Sequence, residues 1–64
     1  MIHNRIKFLR ENRGVTQEDF ANALKVSRQT IIAMEKGNYE PSLGLALKVA
    51  RFFRMPVEKI FSLQ

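Results

Sequence analysis

The chain is predicted to fold as an all-α protein, a small bundle of five short helices. Three observations carry that prediction. Thr16, Ser27 and Ser42 each stand just ahead of a run with apolar residues at helical spacing, where a hydroxyl caps a helix N-terminus. Within the runs the apolar residues recur every three to four positions rather than every two. Arg13-Gly14, Gly37, Asn38-Tyr39-Glu40-Pro41 and Met55-Pro56 interrupt the pattern between runs.

Ile2, Ile6 and Leu9 lie at i, i+4 and i+7, which predicts a first helix from about residue 2 to 12 with Arg and Lys outward. Thr16 opens the second helix, and Asp19 three residues later can complete a capping box. Val15 before the cap and Phe20 four residues in are placed as a hydrophobic staple. Ser27 repeats the device for the third helix, with Val26 and Ile31 as its staple. Leu24-Lys25-Val26 is all that separates the two helices, and Gly37 stops the third. The fourth helix runs from the Ser42 cap to about Phe53, with Leu45, Ala46, Val49, Ala50 and Phe53 as its buried stripe. Val57 to Phe61 make a short fifth. No repeat, linker or low-complexity stretch is present, so residues 1–64 form one domain.

Two helices joined by so short a turn form a helix-turn-helix, whose second member enters the DNA major groove. With about 100° per residue, Arg28, Gln29, Ile32, Ala33 and Lys36 share an arc of about 140° on the third helix. Ile31 and Met34 face the other way, toward a core, with Thr30 and Glu35. Arg28 and Gln29 stand in the first turn, where base edges are met. Arginine matches the paired acceptors of guanine, and glutamine the donor–acceptor pair of adenine. Both could instead be solvated surface residues; the tight turn behind them and the positive charge of the chain favour contact with DNA.

Composition agrees. The chain has 64 residues, net charge +5, 45% hydrophobic residues and no Cys. That is enough for one small core without disulfides or a cysteine metal site, and it suits a reducing cytosol. A sequence pI near 10.3 favours polyanionic partners. No apolar run approaches membrane-spanning length, and residues 1–15 carry charges throughout, so neither a span nor a signal peptide is expected.

The run Leu-Arg-Glu-Asn-Arg-Gly-Val-Thr-Gln-Glu-Asp-Phe-Ala, then Val-Ser-Arg-Gln-Thr-Ile, Met-Glu-Lys-Gly and Pro-Ser-Leu, resembles the Cro/C1-type (XRE-like) helix-turn-helix transcriptional regulators. The resemblance extends from Ile6 to Phe61. It implies a lambda-repressor-like five-helix domain without catalytic activity, acting as a homodimer on a palindromic operator. By the family pattern Gln17 touches a phosphate, Arg28, Gln29 and Ala33 lie where bases are contacted, and Arg10 pairs with Glu35. Lys25 and Arg54 stand where many members have Gly, and both positions call for a left-handed backbone.

The expected site follows. Arg28, Gln29, Ile32 and Ala33 face the bases. Gln17, Ser27, Lys36, Asn38, Tyr39 and Ser42 face phosphates, with the N-terminus of the fourth helix among the candidates. Tyr39 could equally stack at the backbone or close its loop. Helices four and five hold more apolar groups than so small a core needs, which predicts a self-association surface including Leu43, Val57 and Phe61.

Other chemistry is nearly absent. His3 is the sole histidine, Ser27 and Ser42 lack a histidine base nearby in sequence, and no Gly-rich phosphate loop occurs. No enzyme, metal, cofactor or small-molecule ligand is therefore expected. The reading is a DNA-binding regulator, a repressor, in the cytoplasm at the nucleoid. A protein-interaction module is the alternative, since Ile32 and Ala33 share the outer arc. RNA is disfavoured by the lack of an aromatic platform.

Overall fold

The computed structural model describes residues 2–63. Its order is β1 (Ile2–Asn4), α1 (Ile6–Asn12), α2 (Gln17–Leu24), α3 (Arg28–Glu35), α4 (Leu43–Phe53), α5 (Val57–Ile60) and β2 (Phe61–Leu63). Five helices stand where the sequence predicts them, with one addition. Residues 2–4 are not the first turn of a helix but a strand, antiparallel to β2 with Ile2 opposite Leu63 and Asn4 opposite Phe61. Asn4 sets the boundary. Its Oδ1 accepts from the Ile6 N–H at 3.1 Å, and its Nδ2 donates to the Met34 carbonyl at 2.9 Å. One side chain thus starts α1 and ties it to the end of α3. The fifth helix correspondingly stops at Ile60, one residue early, and Phe61 enters the strand.

All three hydroxyl caps form. Thr16 accepts from the Asp19 N–H at 3.0 Å, Ser27 from Thr30 at 3.1 Å and Ser42 from Leu45 at 3.2 Å. Each such cap stabilises its helix by about 1 kcal/mol.

The helix C-termini share a second device. α1 to α4 each end in a pair of bonds reaching back five and three residues. In α3 these run from Asn38 N–H to Ala33 carbonyl and from Gly37 N–H to Met34 carbonyl. The motif needs one residue in the left-handed region. Gly14 and Gly37 supply it at φ +68 and +81, and Lys25 and Arg54 adopt it at φ 60 and 55. A side chain there costs about 1–2 kcal/mol, offset in part by a cation at a helix C-terminus, worth about 0.3–1 kcal/mol. Arg54→Gly should therefore raise stability by about 0.5–1 kcal/mol, a gain of several degrees in melting temperature for a domain this size. An unchanged or lower melting point in a calorimetric scan would show that the Arg54 side chain compensates the strain fully.

The core lies where α2, α3 and α4 meet, closed by α1 and α5. Ile6, Phe20, Ile31, Met34, Val49 and Phe53 have no exposed surface. Phe20, Phe52 and Phe53 form a triangle with ring centroids 4.9, 5.4 and 5.1 Å apart, in the tilted and edge-on geometries aromatic quadrupoles prefer. Arg13 fastens the end of α1 to the end of α4: Nη2 donates to the Phe53 carbonyl at 2.9 Å while the guanidinium lies over the Phe53 ring. No helix is long and apolar enough to cross a membrane among the described residues.

Candidate nucleic-acid interface

Two caps and one turn fix the position of α3. Lys25, left-handed, reverses the chain in the space of Lys25-Val26-Ser27, and Ser27 immediately opens α3 against α2. Ile31 and Met34 drive its inner side into the core. The outer arc is thereby committed to solvent. Arg28, Gln29 and Lys36 are exposed, and Ile32 and Ala33 are half-buried between them. The five residues grouped by helical spacing do share the outward side.

Behind this arc runs a polar chain. The Arg10 and Glu35 side chains are only 8% and 4% exposed. Arg10 grips the carboxylate with two donors, Nε to Oε2 at 2.6 Å and Nη2 to Oε1 at 3.2 Å, while Nη1 donates to the Val15 carbonyl at 2.8 Å. The hydrogen bond to Glu35 raises the Arg10 pKa above its ordinary value against the opposing effect of burial. Gln17 continues the chain: its Nε2 donates to Glu35 Oε1 at 3.1 Å, and its Oε1 accepts from Arg28 Nη2 at 3.4 Å. No buried polar side-chain atom lacks a partner among the described residues. The sequence suggested Gln17 only as a phosphate contact. In the folded chain its amide also links the buried ion pair to Arg28, and one of its two N–H groups stays free.

The remaining candidates surround the arc. Ser27 and Ser42 hold the N-termini of α3 and α4, and Lys36 is the C-cap of α3, just before Gly37. Asn38, Tyr39 and Ser42 are exposed along the loop from α3 to α4. Glu35 turns its charge inward, so the outward arc of α3 carries Arg28 and Lys36 and no carboxylate. His3 is exposed on β1, and no cluster of potential metal ligands occurs among the described residues.

The apolar surplus at the C-terminal end divides unevenly. Phe61, expected at an intersubunit surface, is 9% exposed and packs in the core, because β2 turns its ring inward beside Ile60. Val57 is half-buried against the same core. Leu43 and Leu63 remain at 74% and 84% exposed.

A capped helix presented this way beside a second, tightly linked helix defines a helix-turn-helix DNA-binding domain. The model of the family described as Helix-turn-helix matches residues 6–60, so the chain belongs to that family, in its Cro/C1-type branch. An uncharacterised helix-turn-helix-type transcriptional regulator of Methanocaldococcus jannaschii is 57% identical over 60 residues, covering 94% of this chain and 91% of that one. A counterpart of the same description in Bacillus subtilis is 46% identical over 63 residues, covering 98% and 96%. The cryptic phage CTXphi transcriptional repressor RstR of Vibrio cholerae is 36% identical over 62 residues, 97% of this chain and 56% of the repressor. Among solved structures, a Bacteroides fragilis protein assigned as DNA-binding superimposes with a TM-score of 0.85 at 26% identity, covering 97% of this chain and 100% of that one. The chain is a DNA-binding transcriptional regulator of a family that does not act by catalysis.

Proposed function

We propose that the protein is a sequence-specific repressor that binds an inverted-repeat operator as a homodimer, with α3 in the major groove. The observation that carries this reading is the outward arc of α3, where Arg28 and Gln29 stand side by side in the first turn with no acidic neighbour on the arc. Arg28 addresses guanine and Gln29 adenine, while Ile32 and Ala33 offer apolar contact to thymine methyl groups. Gln17, Ser27, Lys36, Asn38, Tyr39 and Ser42 hold phosphates and set the register. The repressor RstR among the relatives supports repression. The protein then works on chromosomal DNA in the cytoplasm.

The dimer is proposed from the uncovered apolar side chains Leu43 and Leu63 together with half-buried Val57. A two-fold arrangement sets two recognition helices about 34 Å apart, one turn of duplex, and predicts half-sites about 10 bp apart. Leu43→Lys should weaken self-association in sedimentation and, through it, operator affinity, without loss of helical signal. Phe61 is unsuited to this test because its removal from the core would unfold the chain.

Selection of binding sites from random duplexes tests the whole reading, and an inverted repeat is the expected product. Affinity for the selected site should fall steeply with salt, with a slope of log affinity on log salt of about −0.9 for each phosphate neutralised and several phosphates per protomer. Selection that yields no consensus, with binding almost insensitive to salt, would rule out specific duplex recognition.

A further inference from the structure

We propose that the cleft between the C-terminal end of α2 and the outer side of α4 is a docking site for an acidic, apolar-anchored peptide segment of a partner protein. The cleft has a volume of 370 Å³ and is lined by Ala23, Leu24, Lys25, Lys48, Arg51 and Phe52. It shares no residue with the arc of α3 or with the phosphate candidates around it. Its chemistry has two parts. Leu24, Ala23 and half-buried Phe52 make an apolar floor, and Lys25, Lys48 and Arg51 make a rim of exposed cations.

Three features identify the occupant. The first is charge. None of the three cations is in a salt bridge among the described residues. The cleft lining holds no carboxylate, and α4 with its C-cap carries only Lys48, Arg51 and Arg54 as charged groups. Three positive charges at one cleft with no carboxylate among its lining favour an anionic ligand. The second is the floor. A duplex backbone presents phosphates and sugars on a convex surface and has nothing to place on Leu24 and Phe52. A peptide brings carboxylates and an apolar side chain together, and its anchor covers the exposed parts of Ala23 and Phe52. The third is the place of Lys25. Lys25 is left-handed at φ 60, where glycine would sit without cost; the same motif ends α1 and α3 with glycine and α4 with Arg54. The lysine at this position puts a cation at the mouth of the cleft. Arg54 ends α4 in the same conformation outside the cleft lining, so what sets Lys25 apart is the place of its cation beside Lys48 and Arg51.

The site follows the α4 axis as well. At 1.5 Å per residue, Lys48 and Arg51 lie about 9 Å and about 14 Å from Ser42 along the helix. A regulator whose α4 N-terminus faces DNA would thus keep the far half of α4 open to a protein.

Panning a random twelve-residue peptide library displayed on phage against the intact protein tests this directly, with and without DNA function. Enriched peptides should combine several Asp or Glu with one or two bulky apolar residues. Their amide-shift footprint should centre on Leu24, Lys25, Lys48, Arg51 and Phe52. The variant carrying Lys48→Gln and Arg51→Gln alters only exposed side chains, and its fold is verified by its amide spectrum. It should bind the enriched peptides at least tenfold more weakly, while its affinity for duplex DNA changes less than threefold. Lys25→Gly should weaken peptide binding in the same direction while leaving the fold intact. No enrichment, enriched peptides without acidic residues, or equal binding by the variant would overturn the proposal. A tenfold loss of DNA affinity in the variant would overturn it too, by assigning the cleft to the phosphate backbone. Because the peptide arm needs no operator, failure of DNA recognition and failure of this docking site are read separately.

Discussion

Replacing Arg10 or Glu35 by alanine should destabilise the fold by about 2–4 kcal/mol, the largest expected effect of any single polar substitution in this chain. The size follows from burial. Each side chain is more than nine-tenths covered, and the two are joined by two hydrogen bonds at 2.6 and 3.2 Å. Removing one leaves the other as an uncompensated charge in a poorly hydrated site, whereas an exposed pair is worth about 0–1 kcal/mol. Glu35→Ala strands the Arg10 guanidinium and a Gln17 N–H together. Arg10→Ala additionally leaves the Val15 carbonyl, just ahead of the Thr16 cap of α2, without its donor. The double variant should lose less than the sum, because it removes both charges from the interior. Urea denaturation of the four proteins of the cycle measures this, and strict additivity would mean that the pair contributes no coupling.

Arg28→Ala should cost about 1–3 kcal/mol on the selected site and far less on random duplex, since a bidentate base contact carries discrimination rather than general attraction. Gln29→Ala should behave alike. Gln17→Ala is expected to differ in a telling way. A phosphate contact alone would weaken specific and random binding equally. Its amide, however, also accepts from Arg28 at 3.4 Å and donates to Glu35. Loss of that link frees the Arg28 guanidinium, so Gln17→Ala should add a smaller specificity loss to the uniform one. Equilibrium titrations of each variant on both duplexes separate the two components. Equal losses on both duplexes for Arg28→Ala would remove it from base readout.

What was legible in the sequence was local. Thr16, Ser27 and Ser42 cap helices within three residues of themselves, and the i, i+3, i+4 stripes of α2, α3 and α4 need only a short window. The arc of α3 is likewise a consequence of helical pitch alone. The hairpin of β1 and β2 was not legible, because it joins residues almost 60 apart and each strand is three residues long. Ile2 also fits the helical spacing of Ile6 and Leu9, and nothing near it in sequence says that Asn4 will bond to Met34. Phe61 was misplaced for the same reason: its burial depends on that distant pairing. Gln17 was half legible. Its place at the start of α2 is sequence information, while its two internal partners come from packing α2 across α1 and α3. Left-handed Lys25 and Arg54 could be foreseen only through resemblance, since neither residue type signals that conformation.

The most direct test of the central claim is an amide-shift titration of the intact protein with its selected duplex. Recognition through α3 predicts that the largest perturbations fall on Gln17, on residues 27–36 and on the loop from Asn38 to Ser42, with the α2–α4 cleft unmoved. Perturbations centred elsewhere, with residues 28–33 unchanged at saturation, would contradict it.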